Sequence, residues 1–273
     1  MQFHCGQYKF ELDRPLVMGI INVTPDSFSD GGQHLQHEVA IAHAQQIISD
    51  GADIIDIGGE STRPGAQPVG IQEELDRVLP VIEALRGINV PISIDTCKPA
   101  VMRAAIAAGA QMVNDINALQ DVSAMNAVAA TNVAVCLMHK QGTPQTMQQQ
   151  PEYTEVVAEV RDFLRERIAA AETAGIGPER IVIDPGFGFG KTLAHNLGLL
   201  RGLEAFSALG VPVLAGLSRK SMLGAITGRD VSHRISASVA AALIAVQRGA
   251  SIVRVHDVRE TVDALKIWNA VSR

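Results

Sequence analysis

Cysteine is scarce in this chain, and the few residues present exclude a disulfide-stapled fold. Cys5, Cys97 and Cys136 are widely scattered, and no pair has the spacing of a zinc site. The N-terminal segment lacks both the cationic and the apolar regions of a secretory signal. No apolar run approaches the roughly 18 residues that a bilayer-spanning helix needs. We therefore expect a reduced, cytoplasmic protein.

Basic residues are also fewer than acidic ones. The chain has 23 Lys and Arg against 29 Asp and Glu, a formal net charge of −6, and no basic tract. Such a balance argues against nucleic acid or an anionic membrane as the main partner. It leaves room for a small anionic substrate held by a local cluster of Arg and Lys.

Eight short apolar runs alternate with segments of helical period along the whole chain. Their near-continuous Val and Ile content is typical of parallel strands buried on both faces. The strands are predicted at residues 16–22, 52–58, 91–95, 111–115, 133–138, 181–184, 212–216 and 251–256. Two clear amphipathic helices are predicted at 153–174, ending at Gly175, and at 71–86, where Pro80 is an awkward interior residue.

This alternation predicts an α/β fold, a closed (β/α)₈ TIM barrel in one domain over residues 1–273. Residues 2–12 are predicted to form a short β-hairpin that closes the N-terminal end of the barrel. A doubly wound open sheet is the structural alternative. The first strand, however, runs into Asn22-Val23-Thr24-Pro25, which is not the glycine fingerprint of a dinucleotide-binding fold.

Polar side chains collect at the carboxyl ends of the predicted strands, where barrels place their active sites. A single Asp or Asn there commonly caps the next helix, and a cap sufficiently explains Asp115 and Asp121. A whole ring of polar groups at one mouth is costly without a partner, so the ring predicts a ligand. Its members are Asn22, Asp56, Asp95, Asn114, Asp115, His139, Asp184, Ser218, Arg219, Lys220, Arg254 and His256.

The ring divides by chemistry into two sets. Asp95, Asn114 and Asp184 suit a planar heterocycle rich in N–H donors, whereas cationic Lys220, Arg254 and His256 suit phosphate. Arg254 and His256 are two residues apart on one strand and therefore point to the same face. A structural ion pair between Arg254 and Asp257 or another carboxylate is the alternative explanation.

Three glycine-rich loops follow strands, at residues 22–32, 58–65 and 184–191. Loops of this length in a compact barrel are often lids or binding loops. The run GFGFGK in the third loop does not have the spacing of a P-loop, which argues against a nucleoside triphosphate.

Together, these segments resemble the dihydropteroate synthases, the sulfonamide targets of bacteria. The resemblance rests on NVTPDSFSDGG, DIGGESTRPG, SIDT, VNDI, IDPGFGFGK, GLSRKS and VRVHD, which occur in this order after successive strands. It implies a (β/α)₈ barrel that joins 6-hydroxymethyl-7,8-dihydropterin diphosphate to 4-aminobenzoate, forming 7,8-dihydropteroate and diphosphate. It further implies Mg²⁺ as cofactor, sulfonamides as competitors and a homodimer.

The resemblance also implies a role for each matching residue. The pterin would be held by Asp95, Asn114, Ile116, Met138, Asp184 and Lys220. The diphosphate would be held by Asn22, Thr62, Arg254 and His256, with Mg²⁺ on Asn22. The aminobenzoate would be surrounded by Thr62, Arg63, Pro64, Phe189 and Ser221, and the catalytic residues would be Phe28, Asp30, Arg63 and Lys220.

Loss of a neutralised diphosphate from a conjugated pterin favours an SN1-like path, with loops excluding competing water. Three alternatives remain. A methyltetrahydrofolate-dependent methyltransferase needs no diphosphate site, and a catalytically silent pterin-binding relative would show damage in the first two loops. A metal-dependent aldolase-type barrel would require a closely placed acid–His–His set.

Overall fold

A computed structural model describes residues 1–24, 33–61, 65–143, 146–147 and 150–272 of the chain. Along them the chain forms ten strands, two in an N-terminal hairpin and eight in one sheet. The strands are β1 (Gln2–Cys5), β2 (Tyr8–Glu11), β3 (Leu16–Asn22), β4 (Ile54–Gly58), β5 (Ile92–Asp95), β6 (Met112–Asp115), β7 (Ala134–Met138), β8 (Ile181–Asp184), β9 (Leu214–Ala215) and β10 (Ile252–Val255).

Nine α-helices in the described residues surround the sheet. They are α1 (Gln33–Ser49), α2 (Ile71–Ala84), α3 (Pro99–Ala108), α4 (Val122–Ala129), α5 (Val156–Thr173), α6 (Leu193–Arg201), α7 (Ser221–Thr227), α8 (Ile235–Gln247) and α9 (Val258–Ser272). The predicted helix at 153–174 is α5, and Pro80 lies inside α2 as expected. Among these helices, none has the length and apolar character that a membrane span requires.

The eight-stranded sheet is parallel throughout and closes on itself. Its order is β8-β7-β6-β5-β4-β3-β10-β9, and a parallel bridge between Ile183 and Val213 joins the two ends. Closure confirms the (β/α)₈ TIM barrel and shows that the doubly wound open sheet is wrong. The barrel brings residues from both ends of the chain together, since β3 pairs with β10 from Leu16↔Ile252 to Gly19↔Val255.

Six of the eight predicted strands are shorter than the apolar runs that suggested them, and for two of these the structure shows a local cause. The run at 52–58 becomes strand only at Ile54, because the Ala52 amide donates to the Ile47 carbonyl at 3.0 Å and so completes the end of the preceding helix. The run at 212–216 keeps only Leu214–Ala215, and Pro212 within it has no N–H to donate to a ladder. Hydrophobicity thus located the strands but overestimated their lengths.

The N-terminal hairpin closes the end of the barrel at which the strands begin, as predicted, and this end is called the lower end below. β1 and β2 pair antiparallel with Phe3 opposite Phe10, and their rings stack at 6.1 Å. Phe3 and Cys5 are fully buried against the lower interior of the barrel, which Leu16, Met18, Ile54, Met112, Ala134, Cys136, Val182, Leu214 and Ile252 fill. This apolar plug leaves the opposite mouth as the open end of the barrel.

Candidate functional site

The upper interior of the barrel is polar because side chains alternate along each strand. Asp56, Asn114, Asp184 and Arg254 each lie two residues beyond an apolar residue of the lower plug, and a period of two puts both on the inner face. The same strands therefore supply an apolar floor and a charged mouth. The residue at which each apolar run ends therefore determines where its polar or charged side chain lies.

A cavity opens at this mouth. Nine of the residues predicted from the sequence to bind substrate line it, and they come from the ends of six different strands or the loops that follow. The lining residues are Ile20, Asp95, Asn114, Ile116, Met138, Asp184, Phe189, Gly216, Ser218, Lys220, Arg254 and His256. Asp95, Asn114, Asp184 and Lys220, predicted to hold a pterin, are thus brought together.

Arg254 lies at the centre of a network of carboxylates below the cavity. Its Nε donates to Asp56 Oδ2 at 2.6 Å, and its Nη2 donates to Asp95 Oδ2 at 2.7 Å. The Asn114 amide donates to the same Asp56 oxygen at 3.0 Å. Asp56 is fully buried, and its other oxygen, Oδ1, has no hydrogen-bond partner among the residues that the structure describes. The alternative of a structural ion pair is therefore present for Arg254, although with Asp56 and Asp95 and not with Asp257.

Burial changes the proton affinity of the groups in this cavity. Burial raises the pKa of Asp95 to about 7, since the loss of hydration outweighs the attraction of Arg254. The pKa of Asp184 is also raised by burial, against a hydrogen bond that its Oδ1 accepts from the Gly186 amide at 2.7 Å. Burial would lower the pKa of Arg254, but Asp56 and Asp95 reverse that effect, so the guanidinium stays charged.

Lys220 reaches the cavity from the loop before α7. Its Nζ donates to the Phe187 carbonyl at 2.6 Å and lies 4.2 Å from the centre of the Phe189 ring. Burial lowers the pKa of Lys220 to about 8, with Asp184 opposing the shift. The amine therefore sits between a carboxylate, a carbonyl and an aromatic face, where it can donate to a bound heterocycle.

His256 and the neighbouring GLSRKS segment form the rim beside Arg254. The Ser218 hydroxyl lies 3.0 Å from His256 Nδ1 and accepts from the His256 amide at 3.2 Å. Arg219 has a left-handed backbone with φ of +58°, and its guanidinium forms a bidentate ion pair with the Asp257 carboxylate. Asp257 is thus paired with Arg219, while Arg254 and His256 both line the cavity.

Two predicted site residues in the described part of the chain, Asn22 and Ser221, do not line this cavity. Asn22 ends β3 at the same mouth, half-buried, and Ser221 begins α7 on the exposed side of the GLSRKS segment. Phe28, Asp30, Thr62, Arg63 and Pro64 lie outside the described residues. Their predicted contacts with diphosphate and aminobenzoate stay predictions.

Of the two acids expected to cap a helix, only Asp121 does so, whereas Asp115 holds the turn that precedes α4. Asp115 accepts from the Asn117 and Leu119 amides, both at 2.8 Å, and Asp121 caps α4 through the Ser123 amide at 2.6 Å. In the described part of the chain, no group of three or more His, Cys, Asp and Glu side chains could hold a metal ion. The aldolase-type alternative, which needs such a set, has no support there.

Ile20 and Gly216 carry no specific signal in the sequence, and Ser218 and Asp56 were predicted only as members of the strand-end ring, without a role of their own. Ile20, Gly216 and Ser218 line the cavity, and Asp56 supports Arg254 and Asn114 from below. Asp56 belongs to the ring of strand-end polar residues, but nothing in the sequence says which partners it meets. The alternation that places it inward, two residues after Ile54, was the available signal.

Comparison with known proteins agrees with this geometry. Residues 18–256 match the family described as pterin binding enzyme. The chain is 52% identical over 261 residues to dihydropteroate synthase of Escherichia coli K12, covering 95% of this chain and 93% of the relative. Two solved structures are also similar. Dihydropteroate synthase of Xanthomonas albilineans with 4-aminobenzoic acid has a TM-score of 0.94 and 56% identity, covering 99% of this chain and 98% of that one. The enzyme of Yersinia pestis in a sulfonamide drug complex has a TM-score of 0.94 and 49% identity, covering 100% of this chain and 99% of that one.

Proposed function

This chain belongs to the family of pterin-binding enzymes and acts as a dihydropteroate synthase. On that basis we propose which part of the substrates each residue at the barrel mouth binds. The reaction joins 6-hydroxymethyl-7,8-dihydropterin diphosphate to 4-aminobenzoate and releases diphosphate. One observation carries the proposal: Asp95, Asn114, Asp184, Lys220 and Arg254 converge on a single cavity.

The pterin occupies the deep part of this cavity. Its amino and ring N–H groups donate to the Asp184 carboxylate, while the Asn114 amide and Asp95 complete the polar edge. Lys220, held against Phe187 and Phe189, donates to the carbonyl edge and a ring nitrogen. Ile116 and Met138 supply apolar walls for the ring faces. Hydrogen bonds to ionised groups are about twice as strong as neutral ones, which gives this edge its selectivity.

The diphosphate lies toward the rim, on Arg254, His256 and Thr62, with Mg²⁺ on Asn22. The Asn22 side chain has no hydrogen-bond partner in the described residues, and β3, which it ends, pairs with the strand of Arg254. Mg²⁺ keeps several waters and takes one or two protein oxygens plus substrate phosphates, so a lone amide oxygen fits it. When bound, the ion would neutralise charge on the departing diphosphate.

The 4-aminobenzoate approaches from the outer side of the cavity, against Phe189, Ser221 and the second loop with Thr62, Arg63 and Pro64. Sulfonamides compete for this place because they present the same arylamine. As the C–O bond to diphosphate breaks, positive charge spreads into the pterin ring and the arylamine nitrogen attacks the methylene carbon. Phe28 and Arg63 from the first two loops help to exclude water at this stage, and the Asp30 carboxylate stabilises the positive charge.

The assembled enzyme is a cytoplasmic homodimer formed through the outer helices. Exposed apolar side chains on α7, on α8 and on the short turn between them support this arrangement, among them Ile226, Val231, Ile235 and Ile244. Sedimentation velocity on the purified chain tests the proposal, and a species of monomer mass at micromolar concentration contradicts it.

The site assignment is tested by an activity assay with labelled 4-aminobenzoate, the pterin diphosphate and Mg²⁺. We expect labelled dihydropteroate, its loss when EDTA removes the metal, and competition by a sulfonamide. Asn22→Ala should raise the Mg²⁺ concentration that half-restores activity, while Gln46→Ala, an exposed change on α1, should not. Full activity in EDTA would refute the metal assignment, and an unchanged Mg²⁺ requirement in Asn22→Ala would refute the ligand.

A further inference from the structure

The loop after β8 is held by a buried amine that none of the roles above uses. Lys191 is 3% exposed and does not line the cavity. Its Nζ lies 2.9 Å from the Gly186 carbonyl, 2.9 Å from the Phe189 carbonyl and 3.0 Å from His139 Nδ1. The His139 carbonyl oxygen lies farther from Nζ, at 3.4 Å, so four acceptors surround the three donors of an ammonium.

No carboxylate of the described residues forms an ion pair with Lys191. Burial lowers its pKa to about 7 and, together with Lys191 itself, lowers the pKa of His139 to about 3. The imidazole is therefore neutral near pH 7 and can accept from the amine. A buried cation compensated mainly by carbonyl dipoles is costly, so its hydrogen bonds carry a specific geometric demand.

The hydrogen bonds of Lys191 constrain the backbone of residues 185–190, and this segment presents two groups to the cavity. Phe189 lines it directly, and the Phe187 carbonyl accepts from Lys220. The loop turns through left-handed glycines, and a Cβ on Gly186 would lie 1.8 Å from the His139 carbonyl oxygen. The backbone therefore presses against the loop after β7, and the amine joins the two loops at this contact.

We propose that Lys191 is a positioning residue that fixes the Phe189 ring and the Phe187 carbonyl, and through them Lys220, for the reaction with 4-aminobenzoate. It touches neither substrate. The inference rests on the proposed function in one respect, namely that Phe189 and Lys220 contact substrate.

The test compares Lys191→Met, which keeps the length and apolar stem but removes every donor, with Arg180→Met. Arg180 is another buried cation, and its guanidinium donates to the Thr131 carbonyl at the lower end of the barrel. It therefore reports the general cost of losing a buried cation far from the cavity. Thermal unfolding, kcat, and KM for 4-aminobenzoate are measured for both variants beside the wild type.

We expect kcat/KM for 4-aminobenzoate to fall by about tenfold or more in Lys191→Met, because misplaced contacts around a reacting pair can cost up to about 100-fold. Arg180→Met should change it by less than about twofold even where it unfolds at a lower temperature. If Lys191→Met does not fold, Lys191→Gln retains two donors on a shorter side chain and should show a smaller loss in the same direction.

A double-mutant cycle with Phe189→Leu separates positioning from general destabilisation. If Lys191 acts through Phe189, the double variant loses less than the product of the two single losses. Losses that simply multiply, or an unchanged kcat/KM in Lys191→Met, would overturn the inference while leaving the enzyme's activity intact. A wild type that forms no dihydropteroate would instead contradict the proposed function.

Discussion

Replacing Arg254 with Met tests the charge network beneath the cavity. The guanidinium is the only basic group of the described residues that forms ion pairs with Asp56 and Asp95. Asp56 is fully buried, and Asp95 has 14% of its side chain exposed. Removing the cation therefore leaves two carboxylates facing each other in a poorly hydrated barrel interior.

Breaking a buried ion pair by deleting one partner typically costs about 3–5 kcal/mol, because the remaining charge is uncompensated. The matched control is Arg219→Met, which removes a similar Arg–Asp pair at the same end of the barrel. Arg219 has 37% of its side chain exposed and pairs with one carboxylate, Asp257, which is itself only 8% exposed. Its loss leaves one unpaired carboxylate and not two, so it should cost less, about 1–2 kcal/mol. The expected difference between the two variants is therefore about 1 kcal/mol or more.

The stability deficit of Arg254→Met should also depend on pH. Burial raises the pKa of Asp95 to about 7 in the folded chain, above its ordinary value of 3.8. A raised acid pKa means that folding binds a proton, so this group's contribution to stability is lost as pH rises through 7. Without Arg254 the pKa of Asp95 rises further. The deficit of the variant should therefore be larger at pH 8 than at pH 5.

Urea denaturation at both pH values measures these free energies, and calorimetry on the same variants measures binding. We expect Arg254→Met to weaken the pterin diphosphate more than the pterin without diphosphate. A deficit equal to that of Arg219→Met, or one that does not change between pH 5 and pH 8, would refute the network as described. Equal losses for both ligands would refute the diphosphate contact alone.

The other predictions concern the pterin edge, the first loop and the loop after β8. Asp184→Asn should weaken pterin binding at least about tenfold by calorimetry, since a hydrogen bond to a charged group is worth about 1.5–3 kcal/mol; unchanged affinity in the folded variant contradicts the assignment. Asp30→Ala should lower kcat by about 100-fold with pterin affinity nearly intact, and a variant whose only defect is affinity would exclude a catalytic role. Gly186→Ala should lower the thermal midpoint more than Gly210→Ala, because both have left-handed backbones costing about 1–3 kcal/mol for a non-glycine residue, but only Gly186 meets a carbonyl at 1.8 Å. Equal shifts would contradict the close contact.

Much of this molecule could be predicted from local patterns along the chain. Each strand is a short apolar run, and its last residues enter the mouth of the barrel by the alternation of a strand. Asp184, two residues after Val182, needs no tertiary information to be placed inward and upward. The resemblance of the loop motifs added the chemistry, and the comparisons confirm the family and activity that it implied.

The pairing of those residues was decided only by closure of the barrel. Arg254 meets Asp56 across 198 residues of sequence and Asp95 across 159, and no local pattern specifies such partners. The same holds for Lys191, which a sequence motif places in the third loop but which gains its role from His139, 52 residues earlier. Alternation along a strand is set by backbone geometry within a few residues, so the sequence determines which side chains face inward. The partner that each charged side chain meets depends on strand order and register. These are set when β10, the last strand of the barrel, pairs with β3, the first.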